Sequence, residues 1–361
     1  MDLAALPPLP VSAGAVAVAD FDHDGRPDVF IGGRIEPGEY PRAPRSALLH
    51  NQGGRFEDVT ATQAAGLARV GMVTAALATD VDGDGWTDLL IALEWGGVRY
   101  WHNDEGHGFS DRSDAAGFAA AGTGQWTALA TADFNGDGKP DYVAGNLGLN
   151  TPYGAGPMHL YYGDFSGRAG PVAIEARADG DRLVPWATRQ QLGTLWPSWS
   201  RRFPRNDAFA QASLSEIVGG DAQLAKAEHW CATELRSGVF LSQPDGTYRF
   251  APLPRVAQLA PFQGVVAGDF DGDGHADIFA VQNSFAPLPR VGRFSGGLGQ
   301  LLGGDGRGNF EPVPPERSGL VVPGDAKAVV TIPFGPGGET GFLVARNNAA
   351  TLAFRRVASS R

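Results

Sequence analysis

The chain has 361 residues and carries 40 Asp and Glu against 29 Lys and Arg, a formal charge of −11. That length fits one large repeat architecture or two ordinary domains, and an acidic balance without a basic stripe excludes a nucleic-acid binder. The single cysteine, Cys231, excludes an internal disulfide, and no run approaches the ~18 apolar residues of a membrane helix.

With 51 Gly, 26 Pro and 43% hydrophobic residues, the composition suits many short strands joined by tight turns. The start, "MDLAALPPLP", lacks the charged n-region and apolar centre of a signal peptide. The chain is therefore read as cytoplasmic, or as beginning after a removed leader or an upstream domain.

The first predicted element is the strand "AVAVAD", which runs into "DFDHDGRPD" and leaves through "DVFIGG". Asp20, Asp22, Asp24 and Asp28 stand at relative positions 1, 3, 5 and 9, with Gly25 at position 6. Carboxylates packed this closely repel one another unless a cation sits among them. Hard oxygen donors at alternating positions suit Ca²⁺, glycine permits the sharp turn, and position 7, Arg26, offers a backbone carbonyl. An EF-hand would place Glu at position 12, where Ile31 stands, and would flank the loop with helices. The unit is instead strand, metal loop, strand.

Next, "ALLHNQGGRFEDVT" reads as a third and fourth strand joined by a glycine hairpin. The whole pattern then returns. "TAALATD" and "DLLIAL" flank Asp80, Asp82, Asp84 and Asp88, with Trp86 at position 7, and "VRYWHNDEGHGFSD" supplies the following hairpin. His102 and His107 in that stretch read as hairpin residues, not as a paired site. "TALATAD" and "DYVAGN" flank Asp133, Asn135, Asp137 and Asp141, with Lys139 at position 7. Around Asp164, "DFSGRAGP" keeps position 1 and loses the later acids, so no tight site is expected there.

Residues 185–231 break the β pattern with helix formers and recurring Pro stops, and are read as a short, partly helical insert. The stretch holds Trp186, Trp196, Trp199 and Trp230 beside Arg201, Arg202 and Arg205. Trp186, Trp196, Trp199, Arg201 and Arg202 could form an aromatic and cationic ligand-binding lip; alternatively the tryptophans dock the insert in a small core of its own. After "GVFLSQPDGTYRF" the loop recurs as Asp269, Asp271, Asp273 and Asp277, with His275 at position 7, and "QLLGGDGRGNF" follows. "GDAKAVVTI" near Asp325 is read as a last unit with a stripped loop.

An acidic turn without metal is the plainer alternative for one copy, but four copies with position 9 kept point to about four Ca²⁺ ions. Four strands in roughly 50 residues is the arithmetic of a propeller blade. The expected fold is an all-β propeller of seven four-stranded blades, or six, forming one domain over residues 1–361 with the helical insert between blades.

The strand–DxDxDGxxD–strand unit followed by "LxNxGGxF" resembles the FG-GAP or VCBS repeat of integrin-alpha-like β-propellers. "GMVTAALATDVDGDGWTDLL", "DYVAGNLGLN" and "HLYYGDFSG" resemble bacterial proteins of the ASPIC/UnbV and cartilage-acidic-protein-like group. The resemblance spans about residues 13 to 355. It implies that the loop joins the first two strands of a blade and that positions 1, 3, 5 and 9 bind calcium, here the fifteen Asp and one Asn named above.

No G-x-S-x-G, P-loop or H-E-x-x-H motif is present, and Cys231 reads as a small buried apolar residue without a histidine partner. The expected function is a calcium-stabilised binding or adhesion module for a protein or glycan, extracellular or periplasmic, with any export signal absent from this chain. The alternatives are a structural subunit of an envelope complex, or a polysaccharide hydrolase or lyase with its site in the channel.

Overall fold

The computed structural model describes residues 5–9, 12–154, 156–165, 170–196, 201–285, 292–334 and 339–355. Strands β1 (Ser12–Ala19), β2 (Asp28–Ile35), β3 (Ala47–Asn51) and β4 (Phe56–Asp58) form an antiparallel sheet in chain order. A second sheet repeats this with β5 (Met72–Thr79), β6 (Asp88–Gly96), β7 (Val98–Asn103) and β8 (Phe109–Asp111), and β9 (Gly124–Gln125) adds to β6. In both, the strand–loop–strand reading and the glycine hairpin behind it hold.

The third sheet starts with β10 (Ala128–Ala132) and β11 (Asp141–Gly145), then breaks. Strands β12 (Met158–Gly163), β13 (Val172–Asp179), β14 (Arg182–Pro185) and β15 (Glu228–Ala232) form a separate sheet in the order β14-β13-β12-β15. Only afterwards do β16 (Gly238–Ser242) and β17 (Tyr248–Pro252) complete the third sheet, Tyr142 of β11 pairing with Phe240 of β16. A fifth sheet follows, of β18 (Phe262–Gly268), β19 (Asp277–Gln282), β20 (Gln300–Gly304) and β21 (Phe310–Val313). The last contains β22 (Ala326–Phe334), β23 (Glu339–Arg346) and β24 (Leu352–Arg355). Six sheets thus occupy the described residues, and the irregular stretch read as two units holds one sheet, nested inside the third.

The leading strands are rich in alanine, as in "SAGAVAVA" and "MVTAALAT", so their sheets can approach closely. The second strands each start at an aspartate and are apolar over most of the positions that follow, and β11 and β19 are buried at every residue. Sheets one and two pack through Ala17, Phe30, Val73 and Ile91; sheets two and three through Leu90, Phe118, Tyr142 and Phe240. The third meets the fifth at Phe134, Val143, Phe262 and Ile278, and the fifth meets the last at Phe279, Val281, Val329 and Phe342. Antiparallel sheets stacked face to face in series make an all-β, propeller-like fold. At its two ends Val16, Val18 and Val330 remain 54%, 56% and 53% exposed.

In the first, second, third and fifth sheets the acidic loop closes the hairpin between the first two strands, so the nested sheet, which leaves from the β11–β16 connection, lies at the opposite end. One face of it packs Met158, Leu160 and Ala232 against Met72 and Trp95 of the second sheet. Arg42 ties it to the first sheet by donating to Glu228, with Nε at 2.8 Å and Nη2 at 2.6 Å. The other face carries the helices Arg189–Leu195, Asn206–Gln211, Leu214–Val218 and Asp221–Leu224. Thr188 with Gln191 and Ser213 with Glu216 form capping boxes that start two of them, and Gly219, at φ 117°, ends one. Asp325 corrects the sequence reading: it precedes β22 and pairs with Lys327 at 2.7 Å, so it belongs to no first-hairpin loop.

Candidate metal centres

Each acidic loop is built the same way. Position 6 is glycine with positive φ: 83° at Gly25, 91° at Gly85, 82° at Gly138 and 91° at Gly274. No atom lies within 4 Å of where a Cβ would sit at Gly25, Gly85, Gly138 or Gly274, so the turn needs the conformation and not the space. The position-1 carboxylate accepts backbone N–H groups across the turn: Gly25 to Asp20 at 2.9 Å, Gly85 to Asp80 at 3.0 Å, Gly138 to Asp133 at 2.8 Å and Gly274 to Asp269 at 3.0 Å. Position 7 donates its N–H to position 5, at 2.8 Å from Arg26, Trp86 and His275 and 2.9 Å from Lys139.

Position 9 behaves differently. Asp28, Asp88, Asp141 and Asp277 are 3%, 0%, 0% and 2% exposed. One oxygen accepts the N–H of position 2: Phe21 at 3.2 Å, Val81 at 2.9 Å, Phe134 at 2.8 Å and Phe270 at 2.9 Å. The other accepts an N–H from the third strand: Asn51 at 2.8 Å, Asn103 at 2.7 Å, Ser242 at 2.6 Å and Gly304 at 3.0 Å. The aspartate therefore ties the loop to the strand beyond it. Burial raises the pKa of all four carboxyls against the lowering effect of these N–H donors, and pushes Asp88 up to about 6.

The loops draw their acids together. Ligand oxygens of Asp20, Asp22 and Asp28, of Asp80, Asp82 and Asp84, and of Asp269, Asp271 and Asp273 each lie within 4.8 Å of one another. In the third loop Asp137 accepts from the Ser242 hydroxyl at 2.6 Å, and Asn135 Oδ1 accepts the Asp137 N–H at 2.9 Å. In three of the four loops carboxylate oxygens thus converge, and hard oxygen donors are the type that calcium takes.

Two histidines were not foreseen. His50 Nδ1 lies 3.2 Å from Asp22 and 3.3 Å from Asp28, and His102 Nδ1 lies 3.2 Å from Asp82 and 3.5 Å from Asp88. His102 therefore faces the acidic loop, contrary to its reading as a hairpin residue only, while His107 is exposed in the turn. The third-strand partner was half visible as the "HN" of "ALLHN" and "YWHN". The loops also touch: His23 stacks on Trp86 with ring centres 4.0 Å apart, and the Tyr248 hydroxyl donates to Val81 O at 2.8 Å and Pro140 O at 3.1 Å.

Among the described residues, the tryptophans and arginines of the middle stretch do not gather into one site. Trp196 is buried among Phe165, Leu192 and Ile217, while Trp186 packs edge-on to Tyr153 with Arg177 over its ring. Arg201 and Arg202 are exposed, Arg202 lying over Phe203, and Trp199 falls outside the described residues. Cys231 is half-buried and paired across the sheet with His159, a histidine neighbour that the sequence reading lacked.

The profile of the FG-GAP-like repeat matches residues 80–144 and 229–280, which take in the second, third and fourth acidic loops. No curated protein sequence matches the chain. Among solved structures, the V. cholerae biofilm matrix protein Bap1 aligns at 11% identity and a TM-score of 0.31, over 96% of this chain and 77% of that one. The exotype rhamnogalacturonan lyase YesX aligns at 13% identity and TM-score 0.37, and the Bacillus licheniformis rhamnogalacturonan lyase PL11 at 13% and 0.34, each over 95% of this chain. The chain spans about half the length of those lyases, 55% and 56%. No helix among the described residues is long and apolar enough to cross a membrane. The repeated loop and the buried aspartate that anchors it sit in an all-β, propeller-like fold, of which two stretches, residues 80–144 and 229–280, match the FG-GAP-like repeat.

Proposed function

We propose that the chain is a calcium-stabilised propeller that works outside the cytoplasm as a binding or adhesion module. The calcium role is structural: each ion would neutralise a converging acid cluster and lock the first hairpin of its sheet. The observation that carries the binding role is an apolar groove of about 300 Å³ at the end away from the acidic loops, lined by Val256, Leu259, Leu298, Leu301, Pro314 and Leu320. Leu259 and Leu298 are 43% and 51% exposed there, and Gln282, Gln300 and Ser318 supply polar edges. A concave apolar lining with few polar groups suits the side chains of a protein ligand better than a glycan.

The test is capture from an envelope fraction in about 2 mM Ca²⁺, repeated with chelator and with Leu298→Asp. A protein retained by the wild type in calcium and lost under both other conditions is the expected result. Retention that survives Leu298→Asp would move the binding site elsewhere on the propeller, and retention indifferent to chelator would remove calcium from the reading.

A further inference from the structure

Wherever two sheets of the series meet, the back face of one covers the front face of the next. Fixed offsets from the acidic loop set the front face: Ala76, Ala78, Leu89 and Ile91 in the second sheet, Val265, Ala267, Ile278 and Ala280 in the fifth. In the first sheet the same offsets fall on Val16, Val18, Val29 and Ile31, with Val16 paired to Ile31 and Val18 to Val29. Among the described residues no sheet precedes this one. The difference shows in exposure: Val265 is 8% exposed, Val16 54%. The last sheet is bare on its other side. Val329 and Val344 turn toward the fifth sheet, so their strand neighbours Ala328, Val330, Leu343 and Ala345 point away from it, with Ala353 beside Leu343. Ala328, Ala345 and Ala353 are exposed, and Val330 is 53% exposed.

We propose that the front face of the first sheet in one molecule docks on the back face of the last sheet in a second copy of this chain. The two faces are the unmated halves of a contact the chain already makes within itself, between sheets one and two, two and three, three and five, and five and last. The valines at both ends are more than half exposed, so the ends do not cover one another within a single chain. A sheet face meant for water carries polar side chains, whereas Val16, Val18, Val29 and Ile31 at one end and Ala328, Val330, Leu343 and Ala345 at the other are uncharged and apolar. The contact is heterologous, front on back, and each added copy offers a fresh end until a ring closes. A front-on-front dimer would instead join two faces of a kind that never meet within the chain, and would leave both back faces bare. None of these residues lines the apolar groove assigned to a ligand, so the self-contact is independent of that reading.

The test is sedimentation of the full chain in about 2 mM Ca²⁺, at concentrations up to ~100 μM, where a contact of micromolar Kd is nearly saturated. The wild type should run above the monomer mass, increasingly so with concentration. Val18→Asp spoils the front face and Val330→Asp the back face, each by placing an unpaired charge in the contact, and each variant alone should stay monomeric. Both valines are more than half exposed in the single chain, so neither substitution disturbs a core. Mixed in equal amounts, the two variants should form a dimer and nothing larger, because each keeps the face that the other lacks. A mixture that stays monomeric, or a variant that self-associates as the wild type does, overturns the head-to-tail contact. A monomeric wild type overturns it without any variant. In that case a thermal midpoint lowered by both substitutions means that the two ends meet within one chain, and midpoints unchanged by either mean that another protein covers them.

Discussion

Asp88 holds its oxygens against N–H donors from two different segments, Val81 and Asn103, and is fully buried. Asp84 in the same loop is exposed and accepts the Trp86 N–H. The two should therefore separate on substitution. Asp88→Asn turns an amide toward backbone donors and should destabilise the protein by ~1–3 kcal/mol even in chelator. Asp84→Asn should leave the chelated protein nearly unchanged and cost stability only in calcium. Urea unfolding of both variants with and without calcium decides it; equal losses in chelator would deny position 9 its anchoring part. Acid gives a second handle. Burial raises the Asp88 carboxyl from 3.8 to about 6, so the calcium-free fold binds this proton more tightly than the unfolded chain does. Its contribution therefore grows as pH falls from about 6 toward 4 and is lost as pH rises through that window. Calcium requires the carboxylate and reverses the trend, so calcium affinity should fall below about pH 6. Thermal midpoints against pH, with and without calcium, would show opposite slopes; parallel slopes would exclude Asp88 as a ligand.

The strands were legible because glycine and aspartate punctuate them at fixed offsets, and apolar runs such as "DLLIAL" and "DIFAVQ" stand between those marks. The clustering of the loops' acidic residues was legible for the same reason, since spacing along one short segment brings their carboxylates together. What the sequence hid is non-local. Nothing in "DYVAG" announces that β11 will pair with β16 across residues 146–237, and nothing near His159 points to Cys231 or His229. His50 and His102 escaped because the third strand, not the loop, delivers them. The helical insert was visible in its composition, but the roles of its tryptophans depend on packing. Trp196 lies in the small core with Leu192, Leu214 and Ile217, so Trp196→Ala should cost ~3–5 kcal/mol and Ser213→Ala, which removes a capping box, ~1 kcal/mol. Proteolysis of the helical segment should report both losses. An unchanged cleavage rate in Trp196→Ala would show that this core does not hold the helices down.

Taken whole, the stack of sheets is rich in turns held by carboxylates, and its stability should follow calcium. At an extracellular-type affinity near ~10⁻⁴ M and about 2 mM Ca²⁺, one site contributes ~1.8 kcal/mol by mass action. Four independent sites would contribute ~7 kcal/mol, comparable to the stability of a whole domain. Chelation should then lower the thermal midpoint by on the order of 10 °C, and submicromolar calcium should act like chelator. A midpoint indifferent to calcium would leave the loops as hydrogen-bonded turns. The nesting of one sheet inside another has a consequence for how the protein is made. The β10–β11 hairpin leaves the ribosome with β11, apolar at most positions, as an open edge, and its partner β16 starts only at Gly238. At ~5–20 residues per second, the intervening stretch takes roughly 5–20 s to synthesise. For that interval the nascent chain presents an unsealed, adhesive strand, and the nested sheet, completed first, is what stands beside it until the seam closes.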